Sequence, residues 1–289
     1  MKVGVAFPTT EIGVDPVVIR GFAQEVEALG YDHMTCIDHV VQEVANGAED
    51  WRAYYTLDNM FHEPLTLFGF LACATERLTL ATAILILPQR QTALVAKQAA
   101  EIDLLSGGRL RLGVGIGWNA MEFEVLGQSF RNRARRMEEQ IAYLRRLWTE
   151  PAGSFSGQWH QHRDAGINPL PLQRPIPIWI GAFQDPAIER AGRLGDGWFA
   201  NPRVPPSNEM ARQIALARGA AEKAGRDPAA LGIDGTIHIG ARRPEEAVRE
   251  LARWETLGVS HVTLRTMYSG FETPAAHLEA LRRFRKAMG

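Results

Sequence analysis

Two rhythms of apolar residues alternate along the chain. Short continuous apolar runs at 3–7, 33–37, 78–87, 110–114, 178–181, 197–199, 232–239 and 259–265 read as strands covered on both faces. Between them, apolar residues recur at helical spacing over 16–29, 64–75, 92–105, 133–148, 186–194, 208–224, 244–257 and 274–288. The first helix shows the logic: Asp15-Pro16 suits its cap and first turn. Val18, Ile19, Phe22, Val26 and Leu29 make its apolar stripe before Gly30 ends it. Eight strands, each followed by a helix, in 289 residues is the accounting of an α/β protein built as a (β/α)8 TIM barrel. A doubly wound open sheet is the alternative. The barrel is preferred because the unusual residues fall at strand C-termini, where a barrel builds its site.

Two stretches break the alternation. Residues 41–61 form a long connection after the second strand, with Trp51, Tyr54 and Tyr55 among its aromatics. Residues 151–177, rich in Gly, Pro, His and Gln with little periodicity, read as an excursion from one barrel domain spanning 1–289. Both are placed to shape a substrate pocket.

Composition narrows the class. A 46% hydrophobic chain has ample material for a large core, and a net charge of −1 gives no reason to expect nucleic acid or an anionic membrane as partner. No apolar run approaches membrane-spanning length and no signal peptide is visible. Cys36 and Cys73 lie in apolar surroundings and are expected as buried thiols in a reducing cytoplasm. Basic residues are overwhelmingly Arg, with Lys2, Lys97, Lys223 and Lys286 the only lysines.

Asp38-His39 at the end of the second strand is the sharpest polar feature. An imidazole there suits proton transfer near neutral pH, yet a capping Asp and a plain loop His fit the spacing equally. The remaining histidines form no metal-ligand motif: His160 and His162 stand alone, and His62-Glu63 lacks a second histidine. Gly115-Ile116-Gly117 lacks the third glycine of a dinucleotide fingerprint, so it reads as a tight turn or as a ligand contact, with Trp118 at the rim. Gly181 to Asp185 leads small residues into a helix start, with Asp185-Pro186 as cap and first turn, a suitable place for phosphate or an ordinary turn. Arg133, Arg135 and Arg136 at a helix start oppose its dipole, hinting at an anionic tail or marking a solvated face. No nucleophile elbow supports a hydrolase.

The whole pattern resembles the bacterial luciferase-like family of flavin and deazaflavin oxidoreductases over residues 1–270. The likeness rests on VGVAFPTT, on IDH after the second strand, and on LATAILILPQRQTALVAKQAAEIDLLSGGRLRLGVGIGWN. It continues through RRMEEQIAYLRRLW and PIPIWIGAFQDPAIERAGRLGDGW. The resemblance implies a bulge in the third strand at Thr82, Ala83 and Ile84, with a non-proline cis peptide at Ala83-Ile84 against the cofactor ring. Asp38 and His39 would lie beside the reactive edge. Gly117, Trp118 and Asn119 would line the cavity, and Gly181, Ala182, Phe183 and Gln184 would hold a phosphate. Asp-His at this place is similar to relatives using the deazaflavin coenzyme F420, which implies hydride transfer to or from a small organic substrate. FMN with a monooxygenase reaction is the first alternative, and a non-catalytic flavin binder the second. The resemblance also implies a homodimer.

Overall fold

The computed structural model describes residues 1–44, 55–240 and 242–289. In chain order the elements are β1 (Lys2–Ala6), α1 (Pro16–Ala28), β2 (His33–Cys36), α2 (Pro64–Ala74), β3 (Thr79–Thr82), β4 (Leu85–Ile86), a 3-10 turn (Leu87–Gln89) and α3 (Thr92–Leu105). Then come β5 (Leu110–Gly115), α4 (Ala120–Val125), α5 (Arg133–Thr149), β6 (Gly153–Ser156), β7 (Gln161–Ala165), β8 (Ile178–Gly181) and α6 (Asp185–Leu194). The chain finishes with β9 (Gly197–Phe199), α7 (Asn208–Lys223), β10 (Gly232–His238), α8 (Pro244–Thr256), β11 (His261–Arg265) and α9 (Pro274–Met288).

Parallel strands run in the order β3-β2-β1-β11-β10-β9-β8-β5, and β5 returns to β3 through Leu80 opposite Leu110 and Ala81 opposite Arg111. The sheet is therefore a closed eight-stranded parallel barrel, with β4 continuing the third strand after a break and pairing Leu85 with Val114. Alternation along each strand sorts the side chains. Val3, Val5, Met34, Leu80, Leu112, Ile178, Ile233, Val262 and Leu264 face outward into the helical layer and are buried. Their burial against α1 to α9 is the main apolar core.

The inward positions carry something the apolar pattern does not announce. Arg111 on β5 pairs with Asp234 on β10 at 3.2 Å, and its guanidinium lies 4.3 Å from the Trp179 ring centre. The Thr263 hydroxyl donates to Asp234 at 2.9 Å, while His33 Nε2 lies 3.0 Å from the same hydroxyl. Burial opposes ionisation of Asp234, but His33 and Arg111 hold its carboxyl below the usual range. Burial and the Arg111 charge push the His33 imidazole down. This polar plug fixes the lower barrel and leaves the C-terminal mouth for chemistry.

Several expectations need correction. The apolar run 78–87 is two strands and a 3-10 turn rather than one strand, while the Ala83-Ile84 peptide bond is cis, as the resemblance implies. The 151–177 excursion contains an antiparallel hairpin, β6 with β7. Tyr143 of α5 packs against it, 4.8 Å from Phe155 and 5.0 Å from His160 between ring centres. The hairpin's exposed face erased the period in the sequence. Cys36 is buried, but Cys73 is exposed on α2. A short helix, α4, follows Asn119, whose side chain caps it by accepting from Met121 N–H at 3.0 Å. Asp185 is the first residue of α6 and Gln184 its cap. In the 41–61 connection, Trp51 and Tyr54 lie outside the described residues.

Candidate functional site

The barrel mouth gathers the C-terminal ends of β2, β3, β5 and β8. Ala83 N–H donates to the Cys36 carbonyl at 2.7 Å, and the Thr82 hydroxyl donates to the Gly113 carbonyl at 2.6 Å, so the break after β3 is anchored on both neighbours. Ile84 then turns across the barrel. A Cβ on Gly115 would sit 2.6 Å from its Cδ1, and one on Gly181 would sit 2.8 Å from its Cγ2. Only glycine admits that approach, so Ile84, Gly115 and Gly181 form one low platform. Gly117 turns the chain away at φ 69°, and a Cβ there would meet Ile86.

His39 stands beside this platform. Its Nδ1 lies 3.0 Å from Oε2 of Glu122, a carboxylate whose side chain is fully buried on α4. The other oxygen accepts Val40 N–H at 2.8 Å. Burial opposes ionisation of Glu122, but the His39 contact and the Val40 and Val41 amides outweigh it and lower its pKa. An ionised carboxylate only accepts, so Nδ1 carries the hydrogen and Nε2 is the ring's outward nitrogen. Tyr55, Phe61 and Trp118 enclose the ring at 5.0, 4.9 and 5.7 Å between centres.

Asp38 sits behind the platform rather than on it. Its buried carboxyl accepts Ile86 N–H at 2.9 Å and pairs with Arg90 at 2.8 Å, and Arg90 also reaches Glu63 at 2.9 Å. Burial raises the Asp38 pKa against the pull of Arg90. Of the sequence-derived residues, Thr82, Ala83, Ile84, Gly117, Trp118, Gly181 and His39 meet at the mouth. Asn119 contributes as the cap of α4.

Ala182, Phe183 and Gln184 lead into α6, whose N-terminus has no side-chain cap bond. Asp185 would oppose an anion there, but Arg212 grips both its oxygens at 2.9 Å. Arg133 stacks on Phe130 at 3.7 Å. His160, between β6 and β7, has a structural role: its ring nitrogens lie 2.7 Å from Glu139 and 2.6 Å from Thr92. No group of described residues could hold a metal.

A flat tricyclic cofactor with a phosphate tail fits these residues. The platform lacks side chains that would lift a ring from it, and two large aromatics, Trp118 and Phe183, stand 40% and 53% exposed around the mouth. Exposed rings at a barrel mouth are surfaces an aromatic ligand can cover. Sequence reasoning missed Glu122 and Arg90. Glu122 reads as an ordinary helical acid, and only the fold brings it to a histidine 83 residues away.

Comparison with known proteins agrees with this architecture. A Mycobacterium tuberculosis protein is 32% identical over 233 residues, covering 78% of this chain and 80% of its own. An FMNH2-dependent dimethylsulfone monooxygenase from Pseudomonas putida is 40% identical over 153 residues, 52% of this chain and 42% of the relative. An F420-dependent secondary alcohol dehydrogenase, solved with an F420–acetone adduct, shares the fold at TM-score 0.82 and 17% identity, with both chains wholly covered. The luciferase-like monooxygenase family matches residues 1–287, and the chain belongs to that family.

Proposed function

We propose that the protein is an F420-dependent oxidoreductase that moves a hydride between the deazaflavin and an organic substrate. The observation that carries this reading is the His39–Glu122 pair at 3.0 Å beside the Ala83-Ile84 platform. Hydride transfer to a carbonyl, or from an alcohol, requires a proton to move at the substrate oxygen. His39 is built for that step: neutral, it accepts a proton at Nε2, and as imidazolium it returns one, with Glu122 stabilising the charge. Bound at the platform, the deazaflavin supplies the hydride chemistry, and the protein contributes position and electrostatics.

Ile84, Gly115 and Gly181 would support the ring, Trp118 would flank it, and the stretch from Gly181 to Gln184 with the α6 N-terminus would hold the phosphate. Asp38, clamped by Arg90, positions the platform. The aromatic wall of Tyr55, Phe61 and Trp118 would exclude water from His39.

A second reading, oxygenation by reduced FMN, is supported by the Pseudomonas putida relative at 40% identity. Anaerobic mixing of the protein with reduced deazaflavin and a panel of ketones tests the first reading. Reoxidation of the deazaflavin with alcohol formation is the expected result. Oxygen uptake with reduced FMN, and no anaerobic turnover, sinks it.

A further inference from the structure

We propose that the substrate is an organic anion, a carboxylate or sulfonate, and that Arg265 at the end of β11 binds its charged oxygens. The inference deepens the oxidoreductase reading and rests on it for the location of the reacting centre.

Arg265 faces the barrel interior by parity. Thr263, two residues earlier, bonds the inward-facing Asp234 and His33, and strand alternation returns Arg265 to that face about 6 to 7 Å nearer the mouth. Its register partner on β10 is His238. In the ring of strands, three others separate β11 from β5 in either direction, so Arg265 stands across the mouth from Gly115. By the same count His238 on β10 faces the β3 break at Ala83-Ile84. A ring lying on the platform would turn its open face to this opposite wall, where a substrate must sit.

Among the described residues, the wall has a cation that no carboxylate pairs with. Arg265 forms no ion pair with any described residue, and its Nε is buried without a hydrogen-bond partner. Nearby carboxylates are engaged elsewhere. Asp234 serves Arg111, His33 and Thr263; Glu11 accepts Tyr268 N–H and reaches His277; Glu250 pairs with Arg242. A guanidinium kept from all of these presents a planar donor fork, whose natural complement is a two-oxygen anion. The surroundings hold the fork in place. The Tyr268 ring centre lies 5.3 Å from the Arg265 guanidinium carbon. Tyr268 adopts a left-handed backbone at φ 60°, unusual for a bulky residue, secured by its N–H bond to Glu11 at 2.8 Å. Its ring leans 6.4 Å from Tyr55, which itself touches His39. A continuous wall thus joins the fork to the imidazole. Desolvation and the nearby Arg265 charge lower the His238 imidazole pKa.

The test uses protein loaded with whichever of F420 or FMN it binds. Calorimetric titration compares benzoate with benzamide, and methanesulfonate with dimethyl sulfone. The anion of each pair is expected to bind at least about tenfold more tightly, a difference of about 1.4 kcal/mol. Arg265→Gln should abolish the preference and Arg265→Lys keep part of it, with cofactor affinity unchanged in both. Equal affinity for charged and neutral partners, no detectable anion binding, or a preference that survives in Arg265→Gln overturns the proposal. If neither cofactor binds, the oxidoreductase reading fails separately, and the same titration of unloaded protein still decides the anion preference.

Discussion

His39 Nδ1 and Glu122 Oε2 lie 3.0 Å apart, one at the end of β2 and the other on α4, and the carboxylate is wholly buried. The contact fixes which ring nitrogen faces the barrel mouth. Replacing His39 by Ala is expected to lower kcat roughly 10²- to 10⁴-fold, while cofactor affinity stays within a few-fold. Glu122→Gln keeps the shape but removes the charge that stabilises imidazolium. Its kcat should fall by at least about tenfold. Full activity in Glu122→Gln would show that the carboxylate does not act through the imidazole.

The platform makes a structural prediction. Gly181→Ala places a Cβ 2.8 Å from Ile84 Cγ2, an atom fixed by β-branching. Ile84 must shift, at a cost of about 1–3 kcal/mol from overpacking, and cofactor Kd should rise roughly tenfold. Adding Ile84→Ala removes the clash and should recover part of that affinity. A spectroscopic cofactor titration of the single and double variants reads both effects. Equal losses in the two would place Gly181 away from the ring.

Arg90 neutralises a carboxyl that is otherwise sealed from water. Arg90→Met leaves Asp38 buried without its counter-charge and should cost about 3–5 kcal/mol in denaturant unfolding. Arg243→Ala is the control. Its ion pair with Glu246 is 78% exposed on the arginine side, so the loss should stay below about 1 kcal/mol. Similar losses from the two substitutions would contradict the assignment of Asp38 as a buried anchor.

The polar plug also predicts a pH dependence. Burial and the charges of Arg111, His33 and Lys2 push the His261 imidazole from 6.5 down to about 3, with Asp234 opposing them. Between those values the unfolded chain binds the proton that the folded chain refuses. Stability is therefore full above pH 6.5 and falls as the pH drops towards 3. His261→Gln should flatten part of that slope in urea melts at stepped pH, leaving the share due to His33.

Much of this was legible because the barrel writes itself in continuous apolar strands. Residues 178–181 face helices on one side and a filled interior on the other, so no charge interrupts their apolar run, and 110–114 carries only Arg111. Ala83 and Ile84 were named through the family resemblance, and Gly115 and Gly181 through small size and position at strand ends. Glu122 and Arg265 were not assigned roles, because their meaning lies in which side chains face them across the barrel. The Arg111–Asp234 pair was equally hidden, since each residue is a lone charge in an apolar strand and only closure brings them to 3.2 Å. The β6–β7 hairpin escaped because most of its strand positions are exposed or only half-buried, so few apolar residues mark it.

The most direct measurement is an absorbance and fluorescence titration of the purified protein with coenzyme F420 and with FMN, in wild type and Gly181→Ala. Saturable binding of F420 in preference to FMN, weakened by the substitution, is the expected result. Preference for FMN, or F420 binding that ignores Gly181→Ala, would contradict it.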